Sequence, residues 1–315
     1  MYEIETFKQE HIEDAVKLFI SSYIEEREQS SLLPTRVVNE PDCIIQKLTS
    51  SLDKPGVALV NGNTLAGFMC TMSFFEFKRQ NAAIVSEFAH ASINEDKTEL
   101  YQLMYMALAQ KWITQNISLH LIVHFAHDNI LNNTLFQLGF GAVVVEQLRD
   151  LSFLGAVQDY DIVQEQDTSR LIEIDIEHRN YYKDSPIFLR KAANRKAAAE
   201  GLERHVKKGD VIFVYNESKE PGAFFTVGSL TESAEGFLLR STNTAQIKAA
   251  FAKNHLRNRG IGKALLQKSV EWAADNNFER LFVEHETANY YGGKFWSHFF
   301  TPYVYASMRY IDSYS

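Results

Sequence analysis

The sequence predicts two tandem copies of one mixed α/β domain. Landmark residues recur at a nearly constant shift, the order of helices and strands repeats, and 315 residues suffice for two independent cores. A repeat at constant shift indicates duplication of a domain. We therefore expect a first domain at 1–151, a link at 152–159 and a second domain at 160–315. The matched landmarks, 158 or 160 positions apart, are Tyr2 with Tyr160, Ile4 with Ile162, Tyr23 with Tyr181, Trp112 with Trp272, Val123 with Val283, Asn129 with Asn289, Phe136 with Trp296 and Phe140 with Phe300.

Apolar periodicity assigns the elements of the first half in order. A strand at 2–6 precedes a helix whose apolar residues recur from Ile12 to Ile20. The turn Asn61-Gly62-Asn63 suits the positive φ angles of a hairpin and joins strands at 56–60 and 65–75. The remaining predicted helices are 42–52, 97–114 and 129–138, and the remaining strands are 82–89, 119–125 and 142–147.

The second half repeats this order with two differences. Its hairpin joins strands 211–215 and 223–227, and we place the turn at Glu220-Pro221-Gly222. Its second predicted helix, 186–208, is longer and carries many basic residues. These residues could line a site that attracts an anionic ligand. A solvent-exposed helix face with alanines packed inside is the commoner explanation. The basic residues of this helix are Arg190, Lys191, Arg195, Lys196, Arg204, Lys207 and Lys208.

Composition and charge exclude several classes of function. The chain is 45% hydrophobic and 23% charged, and no apolar run approaches the length of about 20 residues that a membrane span needs. The start has neither a basic region nor an apolar signal segment, so we expect a cytoplasmic protein with no membrane partner. Residues 1–155 carry 11 basic against 19 acidic side chains, which argues against a nucleic acid partner. Cys43 and Cys70 lack metal-ligand spacing and are expected in the apolar core.

A glycine-rich turn lies between a strand and a helix in the second half. The segment Arg257-Asn258-Arg259-Gly260-Ile261-Gly262 follows the apolar run 247–252 and precedes helix-forming residues from Lys263 onwards. Glycines let a ligand approach the backbone, and the first N–H groups of a helix have no partners within it, so both favour an anion there. The two arginines and Lys263 add positive charge. The pattern predicts a cradle for a phosphate group.

The spacing of this turn resembles the motif of one family. It is not the Gly-x-x-x-x-Gly-Lys-Ser/Thr loop of nucleotide triphosphatases, and Leu265 stands where a dinucleotide fingerprint has its third glycine. Arg-x-x-Gly-x-Gly resembles the pyrophosphate-binding motif of the GCN5-related N-acetyltransferases (GNATs), whose donor is acetyl-coenzyme A (acetyl-CoA). The resemblance continues in the strand 278–283 and in Asn289, seven residues before Trp296. It implies an α/β (α+β) fold of two tandem GNAT domains, each a mixed, mostly antiparallel sheet flanked by helices.

The same resemblance implies where the donor binds in the second domain. The backbone of residues 251–253 would pair with the pantetheine arm, an N–H near Ala252 would hold the developing oxyanion, and Asn289 would bind the arm from the facing strand. Trp296 would form an apolar wall or part of the core. The implied donor-binding residues are Phe251, Ala252, Lys253, Arg257, Asn258, Arg259, Gly260, Ile261, Gly262, Lys263, Asn289 and Trp296.

Acetyl transfer requires a group that takes a proton from the amine and one that returns a proton to the thiolate. Glu286 is the leading candidate for the base or amine anchor, and Glu284 is the second, because both lie near the end of the facing strand. The family often places a tyrosine acid at the position of Trp296, and an indole N–H cannot serve as that acid. Either the thiolate leaves without a dedicated acid or another phenol reaches it, and Tyr303 is our candidate among Tyr290, Tyr291, Tyr303 and Tyr305. We expect no metal ion in the reaction.

The first domain lacks this cradle. At the matching position the chain reads Lys97-Thr98-Glu99-Leu100-Tyr101-Gln102, so we expect Leu100 and Gln102 in place of the two glycines. Glu95, Asp96 and Glu99 would satisfy the helix dipole and repel a pyrophosphate. The first copy is therefore predicted to be degenerate for coenzyme A (CoA).

Four histidines stand out in the first domain: His90, His120, His124 and His127, with Asp128 adjacent. They could orient a substrate or hold a metal ion, but their spacing matches no metal motif, and local hydrogen bonds are the commoner role of histidines at strand ends.

The sequence thus predicts an N-acetyltransferase that moves an acetyl group from acetyl-CoA to an amine of a small molecule or peptide. A non-catalytic acyl-CoA sensor is one alternative, because the family's tyrosine is missing. An aminoacyl transferase of paired GNAT domains that uses charged tRNA is another, although its donor needs no pyrophosphate cradle. The sequence does not determine the acceptor or the oligomeric state.

Overall fold

The computed structural model describes residues 2–77, 79–230, 236–240 and 242–312. In chain order the elements of the first half are β1 (Glu3–Thr6), α1 (Ile12–Gln29), α2 (Arg36–Asn39), α3 (Asp42–Thr49), β2 (Gly56–Asn61), β3 (Thr64–Cys70), β4 (Ser73–Phe77), β5 (Gln80–Val85), β6 (His90–Ser92), α4 (Lys97–Ile113), β7 (Leu119–Phe125), α5 (Asn129–Gln137) and β8 (Gly141–Arg149). The elements of the second half are β9 (Ile162–Gln164), α6 (Ile172–Tyr181), α7 (Arg195–Lys207), β10 (Val211–Glu217), β11 (Glu220–Ser229), β12 (Thr244–Ala252), α8 (Ile261–Asp275), β13 (Arg280–Glu286), α9 (Tyr290–Phe299) and β14 (Thr301–Tyr310).

The chain divides into two compact units, and these differ from the predicted sequence boundaries. One unit comprises residues 1–145 and 302–315, and the other comprises residues 146–301. The last strand thus belongs to the unit of the first half, where β14 pairs antiparallel with β7 from Val304 opposite Phe125 to Tyr310 opposite Leu119. The duplication in the sequence and the compact units of the structure therefore end at different residues.

The unit of residues 1–145 and 302–315 contains two sheets, in the orders β1-β2-β3-β6 and β4-β5-β7-β14. The predicted hairpin is present, with Gly62 at a φ of 61° between β2 and β3. The predicted strand 65–75 is two strands in different sheets, and the predicted strand 82–89 ends early, because β5 stops at Val85 and residues 86–89 are not in a strand. Cys70 is buried as expected, whereas Cys43 is half-buried.

The unit of residues 146–301 contains a sheet in the order β13-β12-β11-β10-β9. Every neighbouring pair is antiparallel except β12 with β13. Helices α6 and α7 bury Ile174 and Leu202 against one face of this sheet, and α8 and α9 bury Leu265 and Trp296 against the other. The sheet is thus mixed, mostly antiparallel and flanked by helices, as predicted.

Two local predictions in this unit are wrong. The hairpin turns at Ser218 and Lys219, with φ of 52° and 76°, and Pro221 and Gly222 lie inside β11. The basic helix begins at Arg195, because the Asn194 side chain accepts from the Ala197 N–H and caps it there. Residues 186–193 precede that cap and are not helical.

The predicted link 152–159 is held along α8. The backbone N–H of Leu154 donates to Gln267 Oε1 at 3.0 Å, and Lys263 Nζ donates to the Ala156 carbonyl at 2.8 Å. Among the residues that the structure describes, no helix is both long enough and apolar enough to cross a membrane.

Candidate functional site

A β-bulge separates the two parallel strands of the second unit. Opposite β11, the register of β12 skips Lys248, because Thr226 faces Ala249 and Val227 faces Ile247. The parallel pairing of β12 with β13 ends at the same point, with Ile247 opposite Val283, although both strands continue. A bulge bends its strand and ends local pairing. The extra residue in β12 therefore accounts for the opening between β12 and β13.

A buried ion pair holds the bulge in place. Lys248 Nζ lies 2.5 Å from Asp210 Oδ1, with side-chain exposures of 8% and 1%. The other oxygen of Asp210 accepts from His205 Nδ1 at 2.8 Å. Burial by itself would raise the pKa of Asp210, but the hydrogen bonds from His205 and Lys248 outweigh it and lower that pKa. The carboxylate also fills the space above Gly228, where an added Cβ would lie 1.8 Å from Asp210 Oδ1.

A cavity of about 500 Å³ occupies the opening between the strands. It extends from the glycine turn at Gly260 and Gly262, past the end of β12, to Glu284 on β13 and Tyr182 after α6. All of its lining residues belong to the unit of residues 146–301. The opening thus joins the predicted phosphate cradle to the predicted catalytic strand.

The glycine turn presents a bare helix end to this cavity. Gly260 has a φ of 83° and precedes α8, whose first backbone hydrogen bond runs from Ala264 N to the Gly260 carbonyl. The N–H groups of residues 261–263 come before that bond, so they are the ones that point past the end of the helix. A Cβ on Gly262 would lie 3.2 Å from the Phe295 ring, which shows how closely this ring covers the turn. The geometry fits an anion better than a side chain.

Arg257 crosses the mouth of the cavity between two tyrosines. Its guanidinium carbon lies 5.0 Å from the ring centres of both Tyr181 and Tyr291, and its Nε donates to the Ala252 carbonyl at 3.1 Å. The Tyr181 hydroxyl donates to Asn289 Oδ1 at 2.7 Å, and the same oxygen caps α9 by accepting from a backbone N–H. Burial raises the pKa of Tyr181, which keeps this phenol a donor. These contacts fix a positive charge beside the cradle.

The edge of β12 offers backbone N–H groups to the opening. Lys253 N–H donates to the Gly222 carbonyl on the β11 side. Because neighbouring residues of a strand point their N–H and C=O groups in opposite directions, the N–H groups of Ala250 and Ala252 face away from β11. The bond from Arg257 to the Ala252 carbonyl agrees with this direction. Two N–H donors therefore face the opening.

The two predicted glutamates lie on the same face of β13 but differ in access. Both glutamates are half-buried, but Glu284 lines the cavity and Glu286 does not. Burial first, and then the carboxylates of Glu286 and Glu284, raise the pKa of Tyr182, so both carboxylates lie near this phenol. Lys191 Nζ sits 3.5 Å from the centre of the Tyr182 ring. Charged groups of both signs thus surround Tyr182.

Aromatic rings close the other side of the cavity. Trp296 is 6% exposed and packs against Phe225, Phe295 and Phe300, with ring centres 5.6, 4.8 and 5.5 Å away. It is therefore core and cavity wall at once. Tyr303, the predicted acid, belongs instead to the unit of residues 1–145 and 302–315, where it is 1% exposed on β14. Its strand pairs with β7, so Tyr303 does not line this cavity.

The remaining predicted donor residues divide into two groups. Phe251, Asn258, Lys263 and Asn289 line the cavity. Lys253, Arg259 and Ile261 do not: Lys253 pairs with Glu177 at 3.8 Å, the Arg259 carbonyl accepts from Tyr160, and Ile261 is 1% exposed in the core.

Sequence reasoning did not assign a role at the site to Tyr182, Phe295 and His285. Tyr182 and Phe295 are neighbours in sequence of residues that it did name, Tyr181 and Trp296. His285 lies between Glu284 and Glu286 in the sequence. Because side chains alternate along a strand, this position indicates that His285 lies on the opposite face of β13 from the two glutamates.

The helix start in the first unit corrects the predicted alignment. Asp96 has a φ of 56° and precedes α4 as Gly260 precedes α8, so Asp96 and Thr98, rather than Leu100 and Gln102, stand in the places of the two glycines. The shift here is 164 residues instead of 160, because the intervening loops differ in length.

This helix start is occupied by the protein's own charges. The Tyr2 hydroxyl donates to Asp96 Oδ2 at 3.2 Å. Lys97 is buried and pairs with Asp128 at 2.7 Å. Glu99 adds a further carboxylate in the first turn.

Of the four histidines singled out in the sequence, His90, His120 and His124 are buried, and each bonds to a different partner. His90 bonds to Tyr101 at 2.9 Å, His120 to Tyr105 at 2.9 Å, and His124 to Ser307 at 2.8 Å. Burial lowers the pKa of each to about 4, so each is neutral near pH 7. His127 pairs with Glu26 at 2.8 Å.

These histidines do not converge on a metal site. Within the described part of the chain, the one group of three metal-ligand side chains whose atoms lie close together is Glu5, Glu10 and His11. This group lies far along the sequence from the cavity and is partly exposed.

Comparison with known proteins identifies a GNAT domain in the second half of the chain. Residues 177–299 match the sequence model of the acetyltransferase (GNAT) family. A GCN5-related N-acetyltransferase from Sphaerobacter thermophilus is similar in structure, with a TM-score of 0.58 and 10% identity over 99% of this chain and 96% of that one. The glucosamine N-acetyltransferase region of a fungal multi-domain β-N-acetylglucosaminidase gives a TM-score of 0.52 at 10% identity, over 98% of this chain and 38% of that one.

A tandem GNAT protein from the clavulanic acid biosynthesis pathway matches over 100% of both chains at 10% identity, with a TM-score of 0.49. Among curated proteins, none matches the chain by sequence. At such identities similarity shows the fold alone, and the full-length match to the Sphaerobacter thermophilus structure confirms the predicted GNAT fold. The GNAT fold supports acyl transfer in general.

Proposed function

We propose that the protein transfers the acetyl group of acetyl-CoA to an amine of a small molecule or peptide, with the donor bound in the unit of residues 146–301. The observation that carries the proposal is the opening between β12 and β13, which begins at the Lys248 bulge and reaches the bare N-terminus of α8. A cavity that runs from an opening between strands to a helix N-terminus can hold an extended donor with an anionic end.

Each part of the donor has a partner of matching chemistry. The pyrophosphate would accept from the N–H groups after Gly260, where the helix dipole and Arg257 also favour negative charge. The amides of the pantetheine arm would pair with the free edge of β12. The thioester oxygen would accept from the N–H of Ala252 or Ala250, and such donors stabilise the oxyanion that develops during attack.

The acceptor would enter from the face that carries Tyr182 and the two glutamates. A carboxylate there can hold a protonated amine and accept a proton from it. Glu286 remains our proposed anchor, and Glu284 is the carboxylate that lines the cavity.

A non-catalytic acyl-CoA sensor is the second candidate. Trp296 favours it, because this buried indole stands where the family often has its acid and cannot protonate a thiolate. Calorimetric titration of the full chain with acetyl-CoA, followed by free-thiol release with a panel of amines, separates the two. Binding with amine-dependent release supports the transferase, and binding without release from any amine supports the sensor. Absence of acetyl-CoA binding would contradict both and favour the alternative that uses charged tRNA.

The variant Gly260→Asp tests the donor site. The first unit shows that an aspartate is accommodated at this helix position, since Asp96 adopts the same left-handed conformation. The variant should fold and lose at least tenfold in affinity, because it sets a carboxylate against the pyrophosphate. Gly260→Asn is the matched control: it has the same shape without the charge and should lose much less. Equal affinity in all three proteins would refute the donor site.

A further inference from the structure

His285 is a buried polar group at the point where β12 and β13 separate. It lies two residues beyond the last pair, Ile247 with Val283, and is 9% exposed. Alternation along β13 places it on the face of Leu281 and Val283, which pack in the same core as Trp296. Its ring lines the cavity and lies 3.4 Å from where a Cβ on Gly293 would be, one helical turn before Trp296. His285 therefore lies beside α9, one turn before the position where the family often has its tyrosine.

The hydrogen bonding of His285 fixes its tautomer. Nδ1 lies 3.0 Å from the backbone carbonyl oxygen of Glu286, and a carbonyl oxygen only accepts. Nδ1 must therefore carry the hydrogen, which leaves a lone pair on Nε2 when the ring is neutral. Within the residues that the structure describes, this buried Nε2 has no hydrogen-bond partner. Buried polar atoms are seldom left unpaired, so a lone pair beside a ligand cavity indicates that the ligand supplies the partner.

We propose that His285 Nε2 carries the proton from the acceptor nitrogen to the sulfur of CoA. This inference rests on the proposed function. The amine lone pair forms the new C–N bond while the C–S bond breaks, and the electron pair of the C–S bond remains on sulfur. The proton that the nitrogen loses passes to Nε2, and the thiolate then takes it. The imidazole ends neutral, as it began, and no phenol is required.

The surroundings of His285 suit both halves of this transfer. Burial lowers its pKa, against the opposing effects of the Glu286 carbonyl and the Glu286 carboxylate. The ring is therefore neutral before the reaction and holds its lone pair. Once protonated, it is a stronger acid than a free histidine and gives the proton up readily. The Glu286 carboxylate, which acts to raise the pKa of His285, stabilises the transient imidazolium.

His178 provides a useful comparison. Its Nε2 is also buried without a partner in the described part of the chain, and its pKa is also lowered by burial. It packs against Phe224 and Phe251 and does not line the cavity. An unpaired Nε2 alone is thus insufficient, and the position of His285 on the cavity wall is what carries the inference.

The test uses the full chain and His285→Asn. The asparagine amide can still donate to the Glu286 carbonyl, so the structural bond is kept and the Nε2 lone pair is lost. CoA with its free thiol is titrated by thiolate absorbance from pH 6 to 10, with desulfo-CoA as the blank. The neutral Nε2 lone pair should accept from the bound thiol and hold it protonated, so we expect the thiol to ionise at least one pH unit higher in the parent than in His285→Asn. His255→Gln, an exposed histidine paired with Glu217 outside the cavity, is the matched control and should behave as the parent does.

Turnover gives the second measurement, with the amine that releases most thiol from the panel. His285→Asn should lower kcat by about 100-fold with acetyl-CoA affinity within about threefold, which is the size expected for loss of a general acid–base group. If His285→Asn does not fold, His285→Gln is measured in its place. Unchanged thiol ionisation and kcat in a folded variant would overturn the role of His285 alone. A parent that binds no CoA would overturn the proposed function, and this role with it.

Discussion

Removing the charge of Asp210 should both destabilise the second unit and close the donor site. Asp210→Asn keeps the shape of the side chain but leaves the Lys248 ammonium, with 8% of its side chain exposed, without a counter-charge. Loss of one partner of a buried ion pair costs about 3–5 kcal/mol, because the remaining charge stays desolvated. We expect a loss of this size in the free energy of unfolding, measured by urea denaturation.

A double-mutant cycle separates the ion pair from other effects. Lys248→Met alone should also destabilise, but Asp210→Asn with Lys248→Met removes both charges and should cost less than the two single changes together. Glu200→Gln is the matched control, because Glu200 pairs with Lys196 at 3.9 Å on the surface. Its loss should stay within about 0.5 kcal/mol. A cost below about 1 kcal/mol for Asp210→Asn, or strict additivity in the cycle, would refute this account of the bulge.

The functional consequence follows from geometry. Asp210 does not line the cavity, so its effect on the donor must act through the position of Lys248 and the bulge. Asp210→Asn should weaken acetyl-CoA binding at least tenfold at a temperature where the variant remains folded. If affinity is unchanged in a folded variant, the ion pair does not hold the strands apart.

Three further predictions concern other parts of the chain. Because burial lowers the pKa of His90, His120 and His124 to about 4, the unfolded chain binds more protons than the folded one between about pH 4 and 6.5, so stability should rise with pH across that window and be lost on acidification. Each histidine contributes a slope of up to about 1.4 kcal/mol per pH unit, so a total slope below that of one histidine in urea denaturation would count against this prediction. Glu284→Gln and Glu286→Gln should lower turnover far more than acetyl-CoA affinity, and equal kcat in parent and variant across the pH range would remove that glutamate from the mechanism. Calorimetry of the intact chain should give one CoA per chain, and two sites would show that the first unit also binds the donor.

Local patterns in the sequence predicted local structure where one residue decides the backbone. Gly62 in an Asn-Gly turn produced the expected hairpin, because few other residues adopt its positive φ. Pro221 and Gly222 gave a wrong prediction, because proline and glycine usually mark turns. The chain turns instead at Ser218 and Lys219, which both have a positive φ. A bulge between Tyr215 and Asn216 accompanies that turn. The register of β10 with β11 depends on which residues of the two strands pair, and a single sequence does not show such pairing.

The limits of the sequence are clearest for the last strand. Each half of the sequence ends in a strand with a similar apolar pattern. Such a pattern suits the sheet of either half, so it does not identify the sheet that the strand joins. Nothing local in β14 states that it pairs with β7, so the sequence boundary at 160–315 and the placement of Tyr303 near the cavity followed from assuming that each copy keeps its own strand. The glycine turn needed no such assumption, because residues 257–263 are contiguous. A predicted catalytic group depends instead on how distant segments meet, and a single sequence does not show that.

The two helix starts share one backbone geometry but differ in their side chains. Gly260 and Asp96 share the left-handed conformation that begins a helix, so both halves still build the same backbone cradle. In the second unit the start of the helix faces open space. A Cβ added to Gly260 would have Tyr160 Cε2, 3.8 Å away, as its nearest neighbour. In the first unit a carboxylate takes that place and Lys97 turns inward to Asp128. The fold therefore preserves this helix start in both units, and the proposed phosphate site depends on the side chains at its first residues.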